Sequence, residues 1–175
     1  TVLYIGSTHV DWVTLEVIPR YFSTASNNGI SFIGFPVGGF YGGVENFELY
    51  IRYIQLGVFS PIMIIANDYG KYYRREPWRW SQNEMELIRK YLSLRNRIIP
   101  YLYTESYKYY KSGSPIIQPL YYKYPKIYDE PLYKNQYFFG TSMLICPITK
   151  KKNIVMNRVV QRIFIPNGVW YDYST

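Results

Sequence analysis

Gly29-Ile30-Ser31-Phe32-Ile33-Gly34-Phe35-Pro36-Val37-Gly38-Gly39-Phe40 is the stretch that decides the fold of the first half of the chain. Residues 29–37 are almost continuously apolar and lie between Asn27-Asn28-Gly29 and Gly38-Gly39. A short apolar run between turn signals reads as a strand buried on both faces. Working outward, residues 2–5 form a second short apolar run, which ends at Gly6. Residues 61–66 form a third, followed by the turn-like Asn67-Asp68-Tyr69-Gly70. Between the runs, residues 12–21 are helical in outline, with Pro19 near the end. Residues 45–59 place Phe47, Tyr50/Ile51, Ile54 and Val58 at a helical period. Strand, helix, strand, helix, strand predicts βαβ units and a parallel sheet.

Further along, Ser81-Gln82-Asn83-Glu84 has the capping-box pattern that starts a helix. Met85, Ile88 and Leu92 then share a face. Pro100 is expected to kink or break this helix, with a second stretch running to Tyr110. Lys111-Ser112-Gly113-Ser114-Pro115 closes it. After residue 114 the texture changes. Residues 116–124, 137–148, 159–165 and 169–173 are rich in β-branched and aromatic side chains, punctuated by Pro125, Gly140, Pro147 and Pro166-Asn167-Gly168. This predicts a small all-β module, with the boundary at 113–116. No internal repeat or low-complexity segment is visible.

The 175 residues suit a domain of ordinary size. The net charge of +8 is uneven: residues 1–80 carry six Lys/Arg against six Asp/Glu, and residues 81–175 carry fourteen against six. These lysines are scattered, with one run at Lys150-Lys151-Lys152, so a solvated surface is expected and a nucleic-acid partner is not. No run approaches the roughly 18 apolar residues of a membrane span. Thr1 follows no initiator Met and no charged-then-apolar leader, so a cut or processed start is expected. Cys146, the one cysteine, sits in an apolar run and reads as a buried small hydrophobe. An internal disulfide is excluded, which is compatible with a cytoplasmic location, the one expected. The 22 tyrosines suit sheet and helix packing as well as sugar-facing platforms. There is no phosphate loop, no zinc-ligand spacing and no Ser-His-Asp order, so neither a cofactor nor a metal is expected.

Three segments carry a family resemblance: Tyr4-Ile5-Gly6-Ser7-Thr8-His9, Phe32 through Phe40, and Ser60-Pro61-Ile62-Met63-Ile64-Ile65-Ala66-Asn67. They resemble glycoside hydrolase family 31, the α-glucosidases and α-xylosidases. There the segments read roughly Y-S-G-D-T-H, a strand ending in D-I-G-G-F, and S-P-x-x-R-x-H. Arg75-Glu76-Pro77-Trp78, Pro100-Tyr101-Leu102-Tyr103-Thr104, Gln118-Pro119-Leu120, Phe139-Gly140-Thr141 and Pro166 through Asp172 extend the likeness in order and spacing over nearly the whole chain. The resemblance implies an α/β fold: residues 1–113 as the C-terminal part of a (β/α)8 barrel, strands six to eight with their helices, and residues 114–175 as a β-sandwich segment.

The same resemblance puts the family's acid/base Asp at Ser7 and further charged positions at Pro36, Ile64 and Ala66, all replaced here. The nucleophile Asp would lie on an earlier strand, outside these residues. A retaining glycosidase needs two carboxyl groups about 5–5.5 Å apart, and a serine hydroxyl is too weak an acid to replace one of them. The expectation is a chain that is catalytically silent by itself, with α-linked glucosides or oligosaccharides as ligands. The missing barrel part or another chain is the expected partner. Two alternatives stay open: a part of an active α-glycosidase, or a non-catalytic carbohydrate-binding or interaction module. His9, Phe40 and Trp78 are the remaining candidate contacts. Asp11 reads as a helix N-terminal acid, Asp68 as turn chemistry, Glu76 as framework and Trp80 as packing.

Overall fold

A computed structural model describes residues 1–68, 75–127 and 130–173. β1 (Val2–Tyr4), β2 (Phe32–Pro36) and β3 (Ile62–Ile64) form a parallel sheet in that order. The register sets Tyr4 beside Gly34 and Pro36 beside Ile64. α1 (Trp12–Asn27) and α2 (Phe47–Val58) make the crossovers. Both pack on the face that carries Ile33 and Phe35, which are fully buried. The Phe35 ring lies 5.7 Å from Phe22 of α1 and 6.5 Å from Tyr53 of α2. Alternation puts Val2, Tyr4, Phe32, Gly34, Pro36, Ile62 and Ile64 on the other face, where Val2 and Tyr4 are exposed. Helices on one face and an apolar face opposite them are the layout of a barrel section.

Asp11 starts α1: its Oδ1 accepts from Thr14 N at 2.6 Å, satisfying a first-turn amide. The helix passes through Pro19 and ends two turns beyond residue 21, where the sequence outline stopped. Leu15, Ile18 and Phe22 lie along one buried stripe. Burying each contributes about 1.5–3 kcal/mol, which together outweighs the roughly 3 kcal/mol cost of an interior proline. Gly29, at φ +69°, ends the helix, with Gly29 N donating to Ser26 O and Ile30 N to Ala25 O. This is the left-handed stop that favours glycine.

α2 starts under Asn46, whose Oδ1 accepts from Leu49 N at 2.9 Å. Its C-terminal end is held from outside: the Arg95 guanidinium donates to the carbonyls of Val58, Ser60 and Pro61 at 2.8, 2.6 and 3.0 Å. Those donors satisfy acceptors that a helix end leaves open. Arg95 comes from α3 (Gln82–Ser112), whose first turn has Ser81 N donating to Glu84 Oε2 at 3.0 Å. α3 is one helix, not two, and it continues through Pro100. Ile98, Tyr101, Leu102 and Glu105 keep the inner stripe packed. Pro100 and Asn96, whose carbonyl loses its partner, both lie on the exposed side, where water can serve the free acceptor. Gly113, at φ +71°, closes the helix.

The second module is a three-stranded antiparallel sheet of β4 (Ile117–Pro119), β5 (Tyr137–Phe139) and β6 (Met143–Ile145). The predicted strand at 116–124 shortens to β4, because Leu120–Tyr122 turns as a 3-10 helix. Residues 159–165 and 169–173, also predicted as strands, form none among the described residues. Phe164 pairs its N–H and C=O with the side-chain amide of Gln136, at 3.0 and 2.6 Å, in place of a neighbouring strand.

Both sheets share one core that includes Ile116, Ile117, Tyr137 and Phe139. Ser26 Oγ donates to Ile117 O at 2.6 Å, Ile116 N to Ser31 Oγ at 2.8 Å, and Tyr137 OH to Phe59 O at 2.9 Å. Cys146 is half-buried, and burial pushes its thiol up to about 11, so little thiolate forms at neutral pH. Among the described residues, no helix is long and apolar enough to cross a membrane.

Candidate functional site

Parallel strands aim all their carboxyl ends at one edge, and the segments that leave β1, β2 and β3 are laced together there. Phe40 N and Tyr41 N both donate to Thr8 O, at 2.7 and 3.1 Å, and Val10 N donates to Tyr41 O at 3.0 Å. Asp68 N donates to Phe40 O at 3.0 Å. The β1 and β2 loops therefore run as a bridge, with His9 paired to Tyr41 and their rings 5.6 Å apart edge to face. Glycine makes this approach possible. A Cβ on Gly39, at φ +77°, would come within 2.9 Å of His9 O and Val10 Cα. A Cβ on Gly42, at φ +65°, would run into the His9 imidazole.

The candidate residues sit along this edge. Ser7 is exposed, three residues past the end of β1. Pro36 is buried at the last position of β2, in register with Ile64, whose carbonyl accepts from Val37 N at 2.7 Å. Ile64 and Ala66 are half-buried and Phe40 is half-buried on the loop. Thus Pro36 and Ile64 are side by side, and Ser7 leaves the adjacent strand. No hydrogen bond joins Ser7 to the other candidates among the described residues. Trp78 stands apart on a 3-10 turn (Pro77–Arg79), 74% exposed. Trp80 stacks on Tyr50 at 5.3 Å and meets Phe47 at 5.2 Å, so it packs.

His9 Nδ1 and Asp11 Oδ2 are 2.8 Å apart. Burial pushes the Asp11 carboxyl up, but hydrogen bonds from Thr14 and His9 outweigh it and hold it below its usual range. Asp68 is exposed, with Asn67 Nδ2 donating to its carbonyl. The turn expected at Asn67 through Gly70 lies partly outside the described residues, at Tyr69 and Gly70. Glu76 is half-buried and turns Oε2 inward with no hydrogen-bond partner. Among the described residues, no group of three His, Cys, Asp or Glu side chains is placed to hold a metal ion.

Behind the loops lies a cation that spacing alone did not single out. Arg75 is buried, its carbonyl accepts the Tyr50 hydroxyl at 2.5 Å, and loss of solvent lowers its pKa. Its side chain fills the space that a Cβ on Gly38 would claim, at 2.7 Å. The signal available in the sequence was its place in the Arg75-Glu76-Pro77-Trp78 motif that carries the family resemblance.

Residues 1–105 match the family model described as the glycosyl hydrolases family 31 TIM-barrel domain, and residues 113–175 match the glycosyl hydrolase family 31 C-terminal domain. The mouse protein named neutral alpha-glucosidase C is 31% identical over 175 residues, covering 99% of this chain and 19% of its own length. Alpha-glucosidase 2 of Bacillus thermoamyloliquefaciens is also 31% identical, over 99% of this chain and 21% of its own length. The chain thus spans about a fifth of the curated relatives it matches. Among solved structures, the cycloalternan-degrading enzyme of Trueperella pyogenes in complex with isomaltose superposes with a TM-score of 0.77 at 25% identity. That match covers 85% of this chain and 22% of the enzyme.

Proposed function

The chain belongs to glycosyl hydrolase family 31, and on that premise we propose that it forms part of an α-glucosidase-type barrel whose own share of the active site has lost its acid and charged groups. Residues 1–113 are read as strands six to eight with their helices, and residues 114–175 as the start of the β-sandwich. The ligands of this class are α-linked glucosides and short oligosaccharides. By itself the chain turns over no glycoside.

One observation carries this reading: the carboxyl edge presents Ser7, Pro36 and Ile64 at the ends of three adjacent strands, and none bears a carboxyl group. Glycosidic cleavage needs a proton donor at the leaving oxygen and a second carboxylate across the bond. A serine hydroxyl does not donate that proton near neutral pH, and a prolyl ring and a sec-butyl group offer no hydrogen bond to a sugar. Asp11 is occupied in capping α1 and in its pair with His9. The competing reading, part of an active α-glycosidase, draws on the chain's share of about a fifth of its α-glucosidase-named relatives, which leaves room for carboxylates outside these residues. Hydrolysis of an aryl α-glucoside by the purified protein separates the two. No release above the buffer rate is expected, and turnover that survives further purification sinks the silent-edge reading.

A further inference from the structure

The outer face of α3 carries a row of aromatic rings that the core does not use. Tyr103, Tyr107 and Tyr110 are 78%, 58% and 78% exposed. Their spacing of four and then three residues stacks them on one helix face, over about 10 Å of helix axis. Exposed rings in register are costly to leave in water, and three of them on one stripe make a platform rather than scattered surface apolar residues.

Beside the row lies a groove of about 370 Å³, lined by Glu105, Lys108, Lys111, Ser112, Gln118 and Thr141 among others. That volume is in the range of small-ligand sites. Its floor is fixed: the buried Glu105 carboxylate accepts from Lys108 Nζ at 2.7 Å, Thr141 Oγ1 at 2.9 Å and Thr141 N at 3.1 Å. Lys111 belongs to both parts. It lines the groove, and its Nζ lies 5.6 and 5.4 Å from the ring centroids of Tyr107 and Tyr110.

We propose that this row and groove form a second glycan-binding site on the outer surface, away from the barrel edge, taking an α-glucan chain with its apolar ring faces on the tyrosines and its hydroxyls toward the groove. The ligand class rests on the family reading, but the site does not depend on the edge residues. Aromatic rings next to amide, hydroxyl and ammonium groups match a pyranose, which has one apolar face and a polar rim. An anion fits less well. Glu105 neutralises Lys108, the Lys111 charge rests on rings, and the negative end of α3 lies here. The same balance disfavours a nucleic-acid backbone.

The test is calorimetric titration of the intact protein with maltopentaose, run on wild type, Tyr103→Ala/Tyr107→Ala/Tyr110→Ala and Trp78→Ala, with melting curves to confirm folding. The row variant is expected to bind about tenfold more weakly, from lost ring contact alone, whatever the effect of Trp78→Ala at the edge. The corresponding triple Tyr→Phe variant keeps the rings and is expected to stay within about threefold. Loss of binding in Trp78→Ala with none in the row variant would overturn the proposal and leave the edge reading standing. No maltopentaose binding at all, or salt-sensitive RNA binding lost in the row variant, would overturn it too. Product analysis of the same samples reports separately on turnover.

Discussion

Alkaline stability is where three buried phenols should reveal themselves. Tyr50, Tyr53 and Tyr137 are almost wholly buried, and each hydroxyl donates to a carbonyl, those of Arg75, Asp11 and Phe59. Burial raises all three. Tyr50 is pushed up to about 12, with Arg75 opposing and Glu76 reinforcing the rise, and the other two go higher. In the unfolded chain each phenol titrates near its ordinary value of about 10. A raised folded value means that the neutral phenol is favoured in the fold. This stability is fully present below about pH 10 and is lost as pH climbs from there toward the folded value.

At pH 11 the loss is about 1.4 kcal/mol per tyrosine, so about 4 kcal/mol for three, out of a typical 5–15. Urea unfolding followed by tryptophan fluorescence at pH 8 and pH 11 measures it. Tyr137→Phe isolates one share. At pH 8 it should cost about 1 kcal/mol, because the Phe59 carbonyl loses its donor. At pH 11 that penalty should vanish or reverse, since the variant has no phenol there to ionise. If Tyr137→Phe keeps the full wild-type alkaline loss, the hydroxyl is not buried as described and the reasoning fails.

Arg95→Met removes the donors to Val58, Ser60 and Pro61 while keeping much of the side chain's bulk. It should lower unfolding free energy by about 2–3 kcal/mol in chemical denaturation, since hydrogen bonds to a charged group are the stronger kind. Gly42→Ala forces a Cβ into the His9 ring at a positive φ. A cost of about 1–3 kcal/mol is expected, with faster proteolytic nicking of the 38–46 loop and little change in α3 hydrogen exchange. Asp11→Ala removes the α1 cap and should cost about 1 kcal/mol in thermal or urea unfolding. Because the Asp11 pKa is lowered in the fold, its share is present above the ordinary carboxylate range and fades as pH falls below it, so wild type and variant should converge in acid.

Much of the architecture is legible from local chemistry. Three apolar runs, each closed by glycine or a turn, were enough for a parallel sheet, but only β2 is buried along its length; β1, expected to be buried, is exposed at Val2, Leu3 and Tyr4. Ser81 with Glu84 marked the start of α3, and Asp11 before Trp12 marked that of α1. What escaped is tertiary. Pro19 and Pro100 read as stops, yet packing of Leu15, Ile18 and Phe22, and of Ile98 and Leu102, carries both helices through. Residues 159–165 have strand composition, but a ladder also needs a neighbour, and Gln136 supplies a side chain instead. At the edge, Ser7, Pro36 and Ile64 were singled out by the family resemblance, and the apolar runs only placed them near strand ends. The lacing of Thr8 to Tyr41, the His9–Asp11 pair and buried Arg75 depend on loops meeting in space, and no spacing in the chain announces them.

The most direct test of the silent carboxyl edge is calorimetric titration of the purified protein with maltose and with isomaltose, with chromatographic analysis of each sample for released glucose. The expected result is no glucose, whether or not heat of binding appears. Glucose released in proportion to protein, and abolished by a change at the carboxyl edge such as Ser7→Ala, would contradict it.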